Sequence, residues 1–250
     1  MKLSSKIFLR LRYRLPRFDF GVAFSEFLLD HIAPAVYFDR WMIQPFNGQA
    51  IRWNTISAIS RNFNATVAIE TGTYLGSSTP YLSSLVSGKT YSIEIDSGTF
   101  KKTSRRFREN HSQRNIDLIL GDSAIEIKKV LEKLNPDTTR IIAYLDAHWL
   151  DAIPTTDELL ALTNWGGAWV AIIDDFKVPH DQGYGFDFYE ATTIGLDVVP
   201  NNCGISIFVP SLSSDLETNA KRGTGYLFNE KSRMIVKPEA FNDLVQVTHG

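Results

Sequence analysis

Cysteine is almost missing: Cys203 is the one thiol in 250 residues. That excludes an intrachain disulfide and a metal centre built on several thiolates, and it fits a reducing, cytoplasmic compartment. A surplus of positive charge is missing too, because 26 lysines and arginines face 28 acids for a net charge of −2. Proteins that neutralise many phosphates carry a basic excess, so nucleic acid is not an expected partner. No apolar run reaches the roughly eighteen residues that a membrane-spanning helix needs. Repeats and low-complexity tracts are absent as well, which removes solenoids and disordered linkers from consideration.

What is present is a chain that is 44% hydrophobic, enough for one substantial core and an appendage. The appendage is expected over residues 1–60, with the ligand-binding domain over 61–250. The opening stretch MKLSSKIFLRLRYRLPR holds six lysines or arginines and no acid, leaving about eight net negative charges on the rest. Arg10, Arg12 and Arg14 break the apolar core that a secretion signal requires. Two readings of this arm stay open, a basic tail without fixed structure and a contact with a membrane surface or a partner. Residues 18–46 are rich in aromatics, and FSEFLLDHIAPAVYF is spaced as a short buried helix ended at Pro34, suited to a cap or a homodimer contact.

From residue 66 onward, β-branched apolar runs alternate with stretches of helical period. This pattern predicts a doubly wound, mostly parallel α/β sheet covered on both faces. Five runs stand out: TVAIE (66–70), TYSIEI (90–95), IDLIL (116–120), RIIAYLD (140–146) and AWVAIIDD (168–175). GISIFVP and GTGYLFNE add two further strands, read as an antiparallel pair, for seven in all. Ser123 with Glu126 and Thr155 with Glu158 have the spacing of capping boxes, and Gly166 and Gly167 mark a helix stop.

In such sheets ligands bind beyond the carboxyl ends of the strands. Nearly every strand here ends in an acid: Glu70, then Glu94 and Asp96, then Asp122, Asp146, and Asp174 with Asp175. After Glu70, Gly72 and Gly76 allow a sharp turn and the close approach of a ligand, and Ser77, Ser78 and Thr79 open a helix whose amides favour a carboxylate or phosphate. Glu70 would accept from an ammonium group, so an amino-acid-like ligand satisfies both. Glu94 suits the two hydroxyls of a ribose. The spacing is G-x-x-x-G with an acid two residues earlier, unlike the G-x-G-x-x-G of dinucleotide sites. Asp122 is read as a helix cap. Three aspartates, Asp146, Asp174 and Asp175, on adjacent strands need a cation to offset them, with Mg²⁺ expected first and other divalent ions next.

These motifs resemble those of class I S-adenosylmethionine-dependent methyltransferases, in particular the metal-dependent catechol O-methyltransferase type. IETGTYLGSST is similar to that group's acid-x-Gly-x-Tyr-x-Gly-x-Ser motif, which places Glu70, Gly72, Tyr74, Gly76 and Ser78 at the cofactor. YSIEID resembles the ribose-binding strand end, with Glu94 as its acid. GDSAIE matches an adenine contact through Ser123 next to Asp122, and LDAHW matches a metal ligand at Asp146. IIDDF supplies the other two ligands, Asp174 and Asp175, as in the macrocin-type sugar O-methyltransferases. The resemblance spans roughly residues 66–176. It implies a Rossmann-like methyltransferase fold, S-adenosylmethionine and Mg²⁺ as cofactors, and a small hydroxylated substrate.

Two departures matter. Leu150 stands where the catechol type has its lysine base, and Ala147 is inserted between Asp146 and His148. His148 is then either the base, since a neutral imidazole accepts a proton near neutral pH, or a flank of the adenine beside Trp149. The loop KVPHDQGYGFDFY reads as a flap over the substrate, with His180, Asp181 and Tyr184 as candidate contacts. An NAD-dependent oxidoreductase and a non-catalytic nucleotide-binding protein are the alternative readings, because one scaffold hosts many chemistries.

Overall fold

The structure is a computed structural model that describes residues 45–109, 115–148, 153–189 and 191–248. The basic arm, the aromatic stretch up to residue 44 and Trp149 lie outside the described residues. The alternation read from the sequence is present: α1 (Ala50–Phe63), β1 (Val67–Thr71), α2 (Thr79–Ser84), β2 (Thr90–Glu94), α3 (Ser97–Glu109), β3 (Ile116–Leu120), α4 (Ser123–Leu131), β4 (Arg140–Leu145), α5 (Thr155–Trp165) and β5 (Ala168–Asp174). A short hairpin, β6 (Phe188–Tyr189) and β7 (Thr192–Thr193), is followed by β8 (Ser206–Pro210), β9 (Thr224–Phe228), α6 (Glu230–Arg233) and β10 (Leu244–Val247).

The main sheet has eight strands in the order β10-β8-β9-β5-β4-β1-β2-β3, one more than the seven expected. The extra strand is β10, which pairs antiparallel with the outer side of β8; its four residues are too few to announce a strand by alternation. Strands β1 to β5 are mutually parallel. The expected antiparallel pair β8 and β9 forms, and β9 inserts between β5 and β8. No helix among the described residues is long and apolar enough to cross a membrane.

The pleat sorts the core into two layers, because successive side chains of a strand point to opposite faces. Ile141, Ala143 and Leu145 of β4 and Trp169, Ala171 and Ile173 of β5 join Ile127 and Val130 of α4 and Leu159 and Leu162 of α5. Ile142 and Tyr144, with Val170 and Ile172, face the other way, onto Ile56, Ile59 and Phe63 of α1. Each such fully buried aliphatic side chain contributes about 1.5–3 kcal/mol. Helix α1 therefore packs on the sheet, and positions 60 and 61 both lie within it.

Helix ends follow local chemistry, with two corrections. Asp122 is the N-cap of α4, accepting from the Ala124 amide at 2.9 Å; Ser123 is the first helical residue and is buried. The capping box at Thr155 and Glu158 does not form: Pro154 occupies the N-cap without a side-chain bond, and Glu158 turns into the interior. Gly166 ends α5 in a left-handed conformation, φ 76°, as expected for a glycine stop. The start of α1 is capped from far away: Glu217 accepts from the amides of Ile51 at 3.0 Å and Arg52 at 3.1 Å. That docks α1 on the loop leading into β9 and carries Arg52 toward the end of β5.

Candidate functional site

The glycine turn after β1 is built against the ends of the neighbouring strands. The amides of Gly72 and Thr73 both donate to the Ile93 carbonyl, at 2.9 and 3.1 Å, which fastens the turn to β2. Gly72 has φ 82°, and a Cβ there would lie 2.2 Å from the Asp146 carbonyl oxygen. This glycine is needed because the end of β4 passes so close. At Gly76 a Cβ would strike the Phe107 ring at 2.4 Å, so the second glycine lets α3 approach.

Glu70 departs from its expected role as an acceptor for a ligand's ammonium group. Its carboxylate is fully buried and accepts from the hydroxyls of Ser78, Thr79 and Ser92, each at 2.5 Å. Burial raises its pKa, and the three hydroxyls offset part of that rise. Glu70 thus ties the turn and the start of α2 to β2 from beneath. Ser78 serves the same bond.

Glu94, at the end of β2, accepts from the Tyr74 amide through one oxygen and from the Asp96 amide through the other, both at 2.8 Å. Each oxygen keeps a lone pair for a further donor. The residue that links the turn to Glu94, Tyr74, is half exposed and takes a positive φ of 47°, an unusual conformation for a side chain of that size. Its carbonyl is held by Thr103 Oγ1 at 2.5 Å. The glycine turn and Glu94 form one cradle at the sheet edge.

Of the three aspartates expected to share a cation, Asp146 and Asp175 come together and Asp174 is held apart. Asp174 is the last residue of β5 and shares the pleat direction of Val170 and Ile172, so it points to the α1 face. There it is salt-bridged to the Arg52 guanidinium and accepts from the Tyr144 hydroxyl at 2.7 Å, from Asn47 Nδ2 at 3.2 Å and from the Asp175 amide at 2.7 Å. Burial opposes its charge, yet Arg52 and Tyr144 hold its pKa below the usual carboxylate range. Burial, with the same Asp174 charge, pushes the Tyr144 phenol well up.

Asp175 leaves the strand with φ 54° and turns toward the sheet edge, where it meets Asp146 and His148. One ligand atom from each of Asp146, His148 and Asp175 lies within 4.8 Å of the others. His148 is buried, and neither ring nitrogen has a hydrogen-bond partner. Its Nε2 lies 3.8 Å from Asp175 Oδ2 and 4.0 Å from Asp187 Oδ2, beyond hydrogen-bonding range. The Asp146 pKa is raised well above the ordinary range by burial, then by repulsion from Asp174 and Asp175. Such a site favours a proton or a cation.

Five further side chains around this cluster are not marked out as site residues by the sequence. Arg222, just before β9, pairs with both Asp175 and Asp187, and Arg52 neutralises Asp174; neither lies in a motif. Asp187 and Tyr189 come from the expected flap. The Tyr189 hydroxyl donates to Asp187 at 2.7 Å, and its ring meets that of His148 edge-on with centroids 6.1 Å apart. The flap residues singled out earlier serve the loop itself. Asp181 accepts from the amides of Ser214 and Gly183 at 2.7 and 2.8 Å, Tyr184 is buried with its hydroxyl on the Leu212 carbonyl, and His180 is exposed. The fifth, Glu158, is a buried carboxylate whose pKa burial pushes up to about 7, with no hydrogen-bond partner on either oxygen among the described residues.

Among solved structures, the O-methyltransferase TomG from Streptomyces achromogenes, involved in tomaymycin synthesis and solved with SAM, aligns with a TM-score of 0.51 at 13% identity, over 90% of this chain and 96% of that one. A protein assigned as a caffeoyl-CoA O-methyltransferase from Staphylococcus aureus aligns at 0.50 and 13% identity, over 90% and 98% of the two chains. At these identities the likeness is one of fold alone, the α/β fold that those two proteins share with this chain. No protein-family model and no curated protein matches the sequence.

Proposed function

We propose that the protein is an S-adenosylmethionine-dependent O-methyltransferase acting on a hydroxyl of a small molecule or sugar, with a divalent cation at its acidic edge. The observation that carries this reading is the bond from the Tyr74 amide to Glu94 at 2.8 Å, which joins the glycine turn and the acid at the end of β2 into one cradle. A free lone pair on each Glu94 oxygen suits the two hydroxyls of a ribose. Ser123, at the start of α4, and its neighbour Asp122 would meet the adenine. The backbone of the turn between Gly72 and Gly76 would meet the amino-acid portion, with Glu70 supporting it from below.

S-adenosylmethionine supplies an electrophilic methyl on a sulfonium, so the chain's own task is to hold a hydroxyl oxygen in line and to take its proton. Asp146 is placed for that: its carboxylate lacks a hydrogen-bond partner among the described residues, which leaves an oxygen open to accept the proton. Arg222 fixes Asp175 and Asp187 at the same edge. Asp146, His148 and Asp175 fit a cation by their donor atoms and by the unpartnered ring nitrogens of His148. Such an ion would lower the pKa of a coordinated hydroxyl. A substrate with two neighbouring oxygens, a vicinal diol or a catechol, would chelate it best.

Transfer of a labelled methyl group from S-adenosylmethionine to a panel of catechols and sugar diols tests the reading. Labelled product that disappears in EDTA and returns with Mg²⁺ or Mn²⁺ is expected. Product formed equally well in EDTA would reject the cation's part in it.

A further inference from the structure

We propose that the cation site has a mixed nitrogen and oxygen donor set, Asp146, His148 and Asp175, that it prefers a first-row transition ion such as Mn²⁺ over Mg²⁺, and that Asp174 is not a ligand. The inference deepens the methyltransferase reading and rests on it for the use made of the ion.

Two independent observations point to a ligand at this place. The first is the convergence of three donor atoms within 4.8 Å of one another. The second is His148, only 4% exposed, with both ring nitrogens lacking a partner. A buried polar atom without a partner is costly, and an ion at Nε2 removes that cost. The Nε2 to Asp175 Oδ2 separation of 3.8 Å is too long for a hydrogen bond. Two ligands that each sit about 2.1 Å from a shared ion lie roughly 3–3.5 Å apart, so a small contraction brings the pair into coordination.

Charge agrees with geometry. Three carboxylates, Asp146, Asp175 and Asp187, gather here against one guanidinium, Arg222, while the charge of Asp174 is matched separately by Arg52. Two negative charges remain, which a divalent cation offsets.

Asp174 is excluded by saturation. Oδ1 accepts from Arg52 and the Asp175 amide, and Oδ2 accepts from Tyr144 and Asn47, so its lone pairs are occupied. Asp175 spends only Oδ1 on Arg222 and keeps Oδ2 toward the cluster. An imidazole donor suits first-row ions such as Fe²⁺ or Zn²⁺, and Mn²⁺, at the start of that series, combines it with carboxylates, whereas Mg²⁺ favours oxygen alone. His148 is thereby a ligand.

The test is pulsed electron paramagnetic resonance on the full chain, stripped with EDTA and loaded with Mn²⁺, alongside calorimetry with S-adenosylhomocysteine on the same preparation. The expected spectrum shows ¹⁴N modulation from a coordinated imidazole, lost in His148→Gln. Folded Asp174→Asn protein should keep its Mn²⁺ affinity, and Mg²⁺ should bind more weakly than Mn²⁺. Absence of Mn²⁺ binding, or binding without ¹⁴N coupling in the wild-type chain, overturns the inference. S-adenosylhomocysteine binding in those same samples reports separately on the methyltransferase reading.

Discussion

Arg52 of α1 and Asp174 at the end of β5 form an ion pair sealed from solvent, their side chains 1% and 3% exposed. The pair joins the first helix to the strand whose next residue, Asp175, faces the site. Removing one partner leaves the other charged and buried. Arg52→Ala should therefore lower stability by about 3–5 kcal/mol in urea unfolding, and Arg52→Met with Asp174→Asn should restore much of the loss. Equal stability of Arg52→Ala and wild type would mean that the pair is not formed.

Glycine positions separate crowding from conformation. Gly166 has φ 76° with nothing within 4 Å of a Cβ, whereas Gly72 has φ 82° and the Asp146 carbonyl at 2.2 Å. Gly166→Ala should cost about 1–2 kcal/mol, the left-handed penalty alone. Gly72→Ala adds a backbone collision and should cost ~4 kcal/mol or more, with loss of S-adenosylhomocysteine binding because the turn must move. Thermal unfolding of the two variants side by side checks the difference.

Glu158 makes stability depend on pH. Its pKa rises from 4.5 to about 7 on folding, so the folded chain binds this proton more tightly than the unfolded one. The contribution is complete below pH 4.5 and is lost as pH climbs through 7. Glu158→Gln should therefore gain stability over wild type as pH increases across that window, by up to ~3 kcal/mol above it, since each pKa unit is worth about 1.4 kcal/mol. Parallel denaturation curves at pH 5 and pH 8 measure the gap, and a gap that does not widen would contradict the assignment.

At Glu94 the same carboxylate serves the turn and the proposed ribose. Glu94→Gln keeps one oxygen acceptor and removes the charge, so S-adenosylhomocysteine should bind about 1.5–3 kcal/mol more weakly by calorimetry. Unchanged affinity would move the ribose elsewhere.

Much of this was legible in the residues. The five parallel strands follow from β-branched runs of the right length, and the edge lined with acids follows from their last residues. Two things were not legible. The doublet Asp174–Asp175 looks like two ligands in one place, but neighbours on a strand point to opposite faces, and only the end of β5 decides which aspartate leaves the pleat. The partners that settle the charge were equally hidden: Arg52 and Arg222 are 122 and 47 residues from the aspartates they neutralise, and no local spacing records such a meeting. Glu70 shows the converse case, where the motif residue was evident but its burial under three hydroxyls was not.

The central claim is that the cradle formed by the glycine turn and Glu94 takes S-adenosylmethionine. Calorimetric titration of the purified chain with S-adenosylhomocysteine and, separately, with NAD tests it most directly. The account predicts saturable one-to-one binding of S-adenosylhomocysteine and none of NAD. Binding of NAD alone would contradict it.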